Sequence, residues 1–420
     1  MNCEDCGAEV EASAGAAQCA FCGGLLTIDL RLPARIPRDR LIDDGALLPN
    51  ASGVWRYRSL LPQLPDDAIV SRGEGGTPIY RDERLSAFAG VAQLGLKHEG
   101  QNPTGSFKDR GMTVGVSHAK SVGALIVACA STGNTSASLA SYAAAGGLKS
   151  LVLIPEGKIS GGKLAQTIAH GALIVQVEGD FDVALSMLRS LTDELPIYLV
   201  NSVNPYRIEG QKTIVIEMME QLGWQAPDAI ALPGGNLGNT AAFGKSLIEL
   251  YQTGLIDTVP RLLTVQAEGA APFADYFDSG FDRYESVAAE TVATAIRIGD
   301  PASIGRARKA IQFSNGIVAR VSDKEILEAK ALIDRCGIGC EPASAATLAG
   351  VRKLVAVGEI GPDANVVGVL TGHVLKDTEA VLTYHLGADT VEFRPLANQP
   401  ISIPSSMDVL RETVIDALQR

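Results

Sequence analysis

Short apolar runs alternate with helix-like segments along most of this chain, from about residue 91 onward. Residues 124–129 and 229–232 are continuous apolar runs that are too short for a globular helix. Such runs are typical of strands buried on both faces, whereas residues 135–145 suit a helix. Because strands that alternate with helices form parallel sheets covered by those helices, the sequence predicts an α/β protein. The other predicted strands are 150–154, 172–177, 197–200, 262–266 and 365–370, and the other predicted helices are 162–170, 181–195, 208–222, one starting at Asn239, 323–336 and 343–357.

The chain has 420 residues, enough for two or three domains with sizeable cores. We expect residues 1–28 to form a zinc-ribbon-like segment and residues 29–90 to form an extended arm and the start of the body. The proline-rich part of the arm, residues 29–80, is predicted to wrap the body and not to belong to its core. We expect the α/β body at 91–390, with a smaller inserted subdomain at about 115–200. Residues 391–420 are predicted to form a C-terminal tail.

Two Cys-x-x-Cys pairs stand near the start of the chain, separated by twelve residues. This is the spacing of a zinc ribbon, in which four thiolates surround one tetrahedral ion. An all-cysteine ligand set leaves no open position on the metal, so such a site would be structural. A pair of disulfides, or a ribbon that no longer binds metal, are the alternatives. The predicted metal ligands are Cys3, Cys6, Cys19 and Cys22.

The charge balance is acidic, with 36 Lys and Arg against 48 Asp and Glu and a net charge of −12. Since no cluster of basic residues forms a positive stripe, nucleic acid is not an expected partner. The longest apolar runs fall short of a membrane span, and the first residues lack the pattern of a signal segment. We therefore expect no membrane partner and a cytoplasmic location.

One lysine follows a proline–glycine turn in the sequence Asn-Pro-Thr-Gly-Ser-Phe-Lys-Asp-Arg of residues 102–110. Ser106 and Asp109 have the Ser-x-x-Asp spacing of a capping box, which predicts a helix start with Lys108 in its first turn. The positive end of a helix disfavours an ammonium ion by roughly 0.3–1 kcal/mol. This position favours an amine that deprotonates easily for Schiff-base chemistry. A solvated lysine near a helix start fits these nine residues equally well.

Three loops rich in Gly, Asn, Ser and Thr follow predicted strands, at 131–135, 233–240 and 370–373. Ligands of parallel sheets bind at this end of the strands, where helix N-termini and successive amides attract anions such as phosphate. Neither of the first two loops has the Walker spacing, and 233–240 lacks Gly-x-Gly-x-x-Gly. Nucleoside triphosphate and nicotinamide cofactors are therefore disfavoured. A reactive lysine with a separate phosphate loop indicates pyridoxal 5′-phosphate (PLP).

Over most of its length the chain resembles the threonine synthases, a family of fold-type-II PLP enzymes. The segment Asn-Pro-Tyr-Arg-Ile-Glu-Gly-Gln-Lys at 204–212 and the loop Gly-Asn-Leu-Gly-Asn at 235–239 look most specific to that family. The resemblance implies two doubly wound parallel or mixed-sheet domains of the tryptophan synthase β type, with the ribbon added. It is carried by residues 73–78, 102–110, 131–136, 201–212, 235–239 and 371–373.

The resemblance also implies how the cofactor is held. Lys108 would bind PLP through its amine and then move protons at the substrate Cα and beyond. Asn134 would hydrogen-bond the 3′-oxygen of the pyridine ring, and the Thr371 hydroxyl would bond its nitrogen. The cofactor phosphate would be bound by Gly235, Asn236, Leu237, Gly238 and Asn239.

The substrate contacts are implied in the same way. Asn201 and Arg207 are candidates for the substrate phosphate, because a guanidinium can bind phosphate through two parallel hydrogen bonds. The substrate carboxylate would be held by Ser131, Thr132 and Thr135.

The activity implied is conversion of O-phosphohomoserine and water to L-threonine and phosphate by β,γ-elimination and hydration, in a homodimer. The small-molecule partner is then a phosphorylated amino acid, with PLP as cofactor and a structural Zn²⁺ as a second bound group. A β-replacement enzyme acting on phosphoserine, as in cysteate or cysteine synthesis, would use much the same loops. A threonine dehydratase is a further alternative, although its substrate has no phosphate for Arg207 to bind.

Overall fold

The computed structural model describes residues 1–10, 17–41, 52–156, 161–179, 181–387 and 394–419. Within these ranges no helix is both long and apolar enough to cross a membrane. The strands are β1 (Asn2–Cys3), β2 (Leu26–Thr27), β3 (Ile79–Arg81), β4 (Gln93–His98), β5 (Ile126–Ala130), β6 (Lys149–Pro155), β7 (Leu173–Val177), β8 (Ile197–Leu199), β9 (Ala229–Pro233), β10 (Arg261–Ala267), β11 (Ile317–Val321) and β12 (Asn365–Leu370).

The helices alternate with the strands through the body of the chain. They are α1 (Glu83–Ala89), α2 (Lys108–Ser121), α3 (Asn134–Gly146), α4 (Gly161–Ala169), α5 (Phe181–Glu194), α6 (Pro205–Gln221), α7 (Gly238–Gln252), α8 (Pro272–Asp278), α9 (Ile304–Phe313), α10 (Asp323–Arg335), α11 (Pro342–Ala356), α12 (Thr378–Leu386) and α13 (Met407–Gln419). Short 3-10 helices lie at Arg38–Arg40, Trp55–Leu60, Asp66–Ala68, Glu99–Gln101, Glu268–Ala270, Thr294–Ile296 and Val374–Lys376.

The larger sheet has six strands in the order β11-β10-β9-β12-β4-β3. All neighbouring pairs are parallel except β3 with β4. Leu370, the last residue of β12, pairs with His98 at the end of β4, while the other edge of β12 pairs with β9. The loops that follow these three neighbouring strands therefore meet at one end of the sheet.

The smaller sheet has four parallel strands in the order β7-β6-β5-β8. Its central strand β5 ends at Ala130, and β8 ends at Leu199. The loops after them carry Ser131 and Asn201, so this sheet also presents polar side chains at the carboxyl ends of its strands. The predicted doubly wound α/β fold is confirmed.

Apolar side chains cover both faces of the larger sheet. Phe243 and Leu247 of α7 belong to the cluster on one face, and Leu348 of α11 belongs to the cluster on the other. Helices α2 and α6 pack together so closely that a Cβ on Gly210 would lie 1.9 Å from the Arg110 carbonyl oxygen. Only glycine allows this crossing, which brings the Lys108 end of α2 beside the start of α6.

A buried ion-pair network joins α2 and α6 to the loop before β3. The Glu217 carboxylate accepts hydrogen bonds from the backbone N–H of Gly76 (2.8 Å) and Thr77 (3.0 Å) and from Arg110 Nη2 (2.8 Å), and it also contacts Lys97 Nζ. Burial alone would raise the pKa of Glu217, but the two cations lower it to about 2. The carboxylate is therefore charged and fixes the loop against the helices.

The predicted strands and helices are confirmed, with ends that differ by at most three residues. Several elements were not predicted, among them α1, α8, α9, α12, β3, β4 and β11. The interpretation of the arm as lying outside the core is wrong for its aromatic residues, since Trp55 and Tyr57 are fully buried. The predicted tail contains helix α13, whose apolar residues, such as Leu418, are largely exposed.

Candidate active site

A cavity of about 1170 Å³ opens where the strand ends of the two sheets face each other. All but one of the predicted cofactor and substrate residues line it. These residues are Lys108, Ser131, Thr132, Asn134, Thr135, Asn201, Gly235, Asn236, Leu237, Gly238, Asn239 and Thr371. The exception is Arg207, which is fully buried and does not border the cavity in the described part of the chain.

Helix α2 begins at Lys108, as predicted, but the capping box is wrong. No side chain caps the helix, and the backbone N–H of Lys108 lies 3.4 Å from Ser106 Oγ. The Asp109 carboxylate instead accepts hydrogen bonds from Thr104 N (2.7 Å), Thr104 Oγ1 (2.6 Å) and Ser138 Oγ (2.5 Å). These buried bonds tie the loop to α3, and the carboxylate cannot serve both them and a cap.

The environment of Lys108 favours its neutral amine. Burial in the cavity wall and, to a smaller extent, the nearby Arg207 guanidinium lower the pKa of Lys108 to about 7, while Glu341 acts in the opposite direction. Desolvation thus has the larger effect, because an ammonium ion loses hydration that the wall does not replace. At neutral pH a large fraction of Lys108 is a free amine able to attack a carbonyl carbon.

The loop before α7 has the features of a phosphate site. Leu237 has a φ of 60°, a left-handed conformation that turns the chain into the N-terminus of α7 at Gly238. The first N–H groups of a helix have no partners within the helix and attract anions. Both Asn239 side-chain polar atoms and Gln211 Oε1 are buried and have no hydrogen-bond partner among the described residues. The Asn239 amide nitrogen is a donor that fits a bound phosphate, whereas the two amide oxygens are acceptors and need donors from other groups.

Arg207 and Asn201 lie on the opposite side, near the smaller sheet. Arg207 Nη1 donates to the Val200 carbonyl at 3.3 Å, while its Nε and Nη2 have no hydrogen-bond partner among the described residues. Burial lowers the pKa of Arg207 to about 10. Asn201 Oδ1 accepts from the backbone N–H of Ala130 at 3.2 Å, leaving its amide nitrogen for another acceptor. Two unpaired guanidinium nitrogens so close to a cavity favour an anion.

Glu341 is a cavity residue that we did not predict. Its carboxylate accepts from Asn134 Nδ2 at 3.1 and 3.3 Å and lies 3.4 Å from Thr371 Oγ1. Burial raises the pKa of Glu341, and the Asn134 hydrogen bond opposes this shift. The only signal in the sequence was a glutamate before Pro342 at a helix start, which does not by itself indicate a binding site. Gln211 and Lys376 also line the cavity and were not predicted.

The four ribbon cysteines converge on one point near the start of the chain. Their Sγ atoms all lie within 4.8 Å of one another, with Cys3 and Cys22 at 3.4 Å and Cys6 and Cys19 at 3.8 Å. A tetrahedral zinc site with Zn–S bonds of about 2.3 Å needs S–S separations of about 3.8 Å. All four are free thiols, so the disulfide alternative is not what the structure contains. The cluster fits a zinc ion.

The ribbon is attached to the helices behind the cavity. Lys245 Nζ of α7 contacts the Ile28 carbonyl, and Arg306 of α9 contacts the Leu26 carbonyl. Lys309 Nζ donates to the Glu4 carbonyl at 2.7 Å and to its carboxylate at 2.8 Å. The ribbon therefore braces α7, the helix whose first turn faces the cavity.

Comparison with known proteins agrees with this geometry. Residues 70–372 match the family model described as "Pyridoxal-phosphate dependent enzyme". The structure is similar to that of maize serine racemase, with a TM-score of 0.60 and 18% identity over 82% of this chain and 92% of that one. The chain is thus a PLP-dependent enzyme by family and has the fold of such enzymes.

Two relatives show to which family within the PLP-dependent enzymes the chain belongs. The chain is 46% identical over 392 residues to a threonine synthase of Methanocaldococcus jannaschii, covering 93% of each chain. It is 43% identical over 416 residues to a threonine synthase of Methanosarcina acetivorans, covering 99% of this chain and 98% of that one. The chain belongs to the threonine synthase family of PLP-dependent enzymes, and the predictions of family, cofactor and activity class are confirmed.

Proposed function

We propose that the enzyme converts O-phosphohomoserine and water to L-threonine and phosphate in the cavity beside Lys108. One observation carries the proposal: an amine with a pKa near 7 lies near two sets of buried side-chain donors that have no hydrogen-bond partner among the described residues. The first is the amide nitrogen of Asn239 at the N-terminus of α7, and the second is the guanidinium of Arg207 through its Nε and Nη2. A cofactor phosphate and a substrate phosphate together would occupy both.

The cofactor would be held by residues from both sheets. Lys108 binds it covalently, and Gly235, Asn236, Leu237, Gly238 and Asn239 bind its phosphate. Asn134 and Thr371 contact the pyridine ring, Asn134 through the 3′-oxygen and Thr371 through the ring nitrogen. Support comes from their common position on the cavity wall. When bound, PLP supplies an electron sink that stabilises negative charge on the substrate carbon atoms.

The substrate would be held on the side of the smaller sheet. Ser131, Thr132 and Thr135 bind its carboxylate at the start of α3, where backbone N–H groups and hydroxyls offer donors to an anion. Asn201 and Arg207 bind its phosphate. Because Arg207 lies behind the wall, this assignment requires its guanidinium to reach the phosphate through a small movement of the 201–203 loop.

Proton transfer is assigned to Lys108. As a neutral amine it would accept the proton from the substrate Cα and then one from Cβ, so that phosphate can leave Cγ. As an ammonium it would return protons to Cγ and, once water has added its hydroxyl at Cβ, to Cα, while the remaining proton of water goes to the released phosphate. A lysine with a pKa near the working pH serves both directions. The surrounding loops exclude water until it is required.

The decisive assay is phosphate release from O-phosphohomoserine, compared with O-phosphoserine plus sulfite. We expect turnover with the first substrate and threonine as the product. Lys108→Ala should lose the visible absorbance of lysine-bound PLP and the turnover, whereas Lys120→Ala, on the exposed end of the same helix, should keep both. Turnover only with phosphoserine and sulfite would replace this proposal with the β-replacement reaction.

Three further features belong to the same proposal. Cys3, Cys6, Cys19 and Cys22 hold a structural zinc ion, which the thiol separations support and metal analysis of the purified protein will test. The enzyme is a cytoplasmic homodimer without a nucleic-acid partner, as the acidic charge and the family resemblance favour, and light scattering will test the dimer. We keep the domain limits predicted from the sequence, which are 1–28, 29–90, 91–390 and 391–420. The smaller sheet then lies inside the predicted subdomain at about 115–200.

A further inference from the structure

Glu341 is the only carboxylate that borders the active-site cavity in the described part of the chain. It immediately precedes α11, and its backbone N–H donates to the Gly372 carbonyl at 3.0 Å. Its side chain is 4% exposed and is directed at the loop that follows β12. A buried carboxylate is unfavourable unless nearby groups compensate it, so its presence here needs an explanation.

The carboxylate contacts two residues assigned to the cofactor ring. Both of its oxygens accept from Asn134 Nδ2, which fixes the orientation of that amide so that its oxygen is on the other side. Oε1 lies 3.4 Å from the Thr371 hydroxyl. Glu341 thus connects α3, from the smaller sheet, to the end of β12 in the larger sheet.

A second contact orders the Thr371 hydroxyl. The backbone N–H of Gly372 donates to Ser344 Oγ at 3.0 Å, and Ser344 Oγ lies 3.0 Å from Thr371 Oγ1. With its oxygen accepting from Gly372, Ser344 can donate its proton to Thr371. The Thr371 proton is then left for Glu341 or for a group in the cavity.

The backbone next to Thr371 is shaped around this carboxylate. A Cβ placed on Gly372 would lie 2.4 Å from both Cδ and Oε1 of Glu341. Any larger residue at position 372 would therefore displace the Glu341 carboxylate from its present place. This steric fit is independent of the hydrogen bonds.

Charged groups of three elements act on Glu341. Lys108 at the start of α2 and Lys376 after β12 are positive, whereas Asp377 is negative. The carboxylate in turn favours the charged forms of both lysines. Removing its charge would therefore alter the lysine that attaches the cofactor, as well as the ring contacts.

We propose that Glu341 is the positioning residue of the cofactor ring. Its carboxylate holds the Asn134 amide in the orientation that meets the ring, lies beside the Thr371 hydroxyl that bonds the ring nitrogen, and balances the positive charge around Lys108. This inference rests on the proposed function, because it takes from there the ring contacts of Asn134 and Thr371. Glu341 itself moves no proton in the reaction.

The test uses full-length Glu341→Gln and Glu341→Ala, with Glu359→Gln as the matched control on the surface near the end of α11. Each apoprotein is titrated with PLP, and the dissociation constant, the absorption maximum of the bound cofactor and its pH dependence are recorded. For the Ala variant we expect the dissociation constant to rise about tenfold or more and the absorption maximum to shift, since hydrogen bonds to a charged group are lost.

The Gln variant separates geometry from charge. Its amide oxygen can still accept from Asn134, so we expect a dissociation constant within about threefold of the wild type but an altered pH dependence of absorbance. In steady-state assays kcat should fall more than KM rises, because the substrate contacts remain. Wild-type affinity, absorbance and pH dependence in both variants would overturn the inference.

Folding and the reaction assignment are controlled separately. Melting temperatures of the apoproteins show whether each variant is folded. If the Ala variant is not folded, the nearly isosteric Gln variant alone tests the role of Glu341. If the wild type binds PLP but releases no phosphate from O-phosphohomoserine, the proposed reaction fails. The PLP titrations would still test the role of Glu341 in that case, because they measure cofactor binding without turnover.

Discussion

The pH dependence of cofactor capture by Lys108 is a direct consequence of its surroundings. With a pKa of about 7, Lys108 is neutral in about 90% of molecules at pH 8, whereas a lysine with the ordinary value of 10.5 is neutral in only about 0.3%. Only the neutral amine attacks the cofactor aldehyde. The predicted advantage at pH 8 is therefore about 300-fold in reactive amine.

The assay is stopped-flow absorbance after mixing apoenzyme with PLP between pH 6 and 9. The rate should rise about tenfold from pH 6 to pH 8 and then level off, whereas an ordinary lysine would gain about a hundredfold over that interval and continue to rise. The same reaction with N-acetyl-lysine serves as control, because it corrects for titration of PLP itself. Arg207→Gln should move the midpoint to higher pH, since a nearby positive charge is removed. A rate that still rises tenfold per pH unit at pH 9 would refute the reasoning.

Other consequences concern the supports of the site. Glu217→Ala should cost about 3–5 kcal/mol of unfolding free energy, because two buried cations lose their shared carboxylate, and urea unfolding will measure it; a loss below about 1 kcal/mol would contradict the network. Gly372→Ala should weaken PLP binding, because the new Cβ would lie 2.4 Å from Glu341, while Gly361→Ala, in open space, should not; equal PLP affinities would exclude the clash. Chelating the ribbon metal, or the substitution Cys22→Ser, should lower both the melting temperature and the affinity for PLP, because the ribbon holds α7 in place. An unchanged melting curve after verified metal loss would show that the ribbon does not stabilise the rest of the protein.

Much of the fold was predictable because its physical causes are local. Continuous apolar runs such as 229–232 form the strands, and the loop residues that follow them in sequence also follow them in space. The glycine and asparagine composition of 235–239 indicated a phosphate site, and the structure brings that loop to the same cavity as Lys108. The elements α8, α9 and β11 were not predicted from the sequence.

The missed features depend on groups far apart in the sequence. Asp109 has the spacing of a helix cap, yet its carboxylate accepts hydrogen bonds from Thr104 and Ser138 instead. Arg207 was expected in the cavity, but it lies behind the wall with two nitrogens unpaired. Glu341 meets Asn134 across 207 positions, a contact that no sequence spacing can reveal.

By itself the sequence determined the alternating strands and helices, the lysine, the phosphate loop and the cysteine pairs, because each is specified within a few neighbouring residues. Tertiary structure decided how these parts act on one another. Two separate sheets had to bring their strand ends together before Lys108 could lose its hydration and acquire a pKa near 7. Burial and long-range charge are properties of the packed molecule, since they depend on which groups exclude water from an atom and not on which residues precede it.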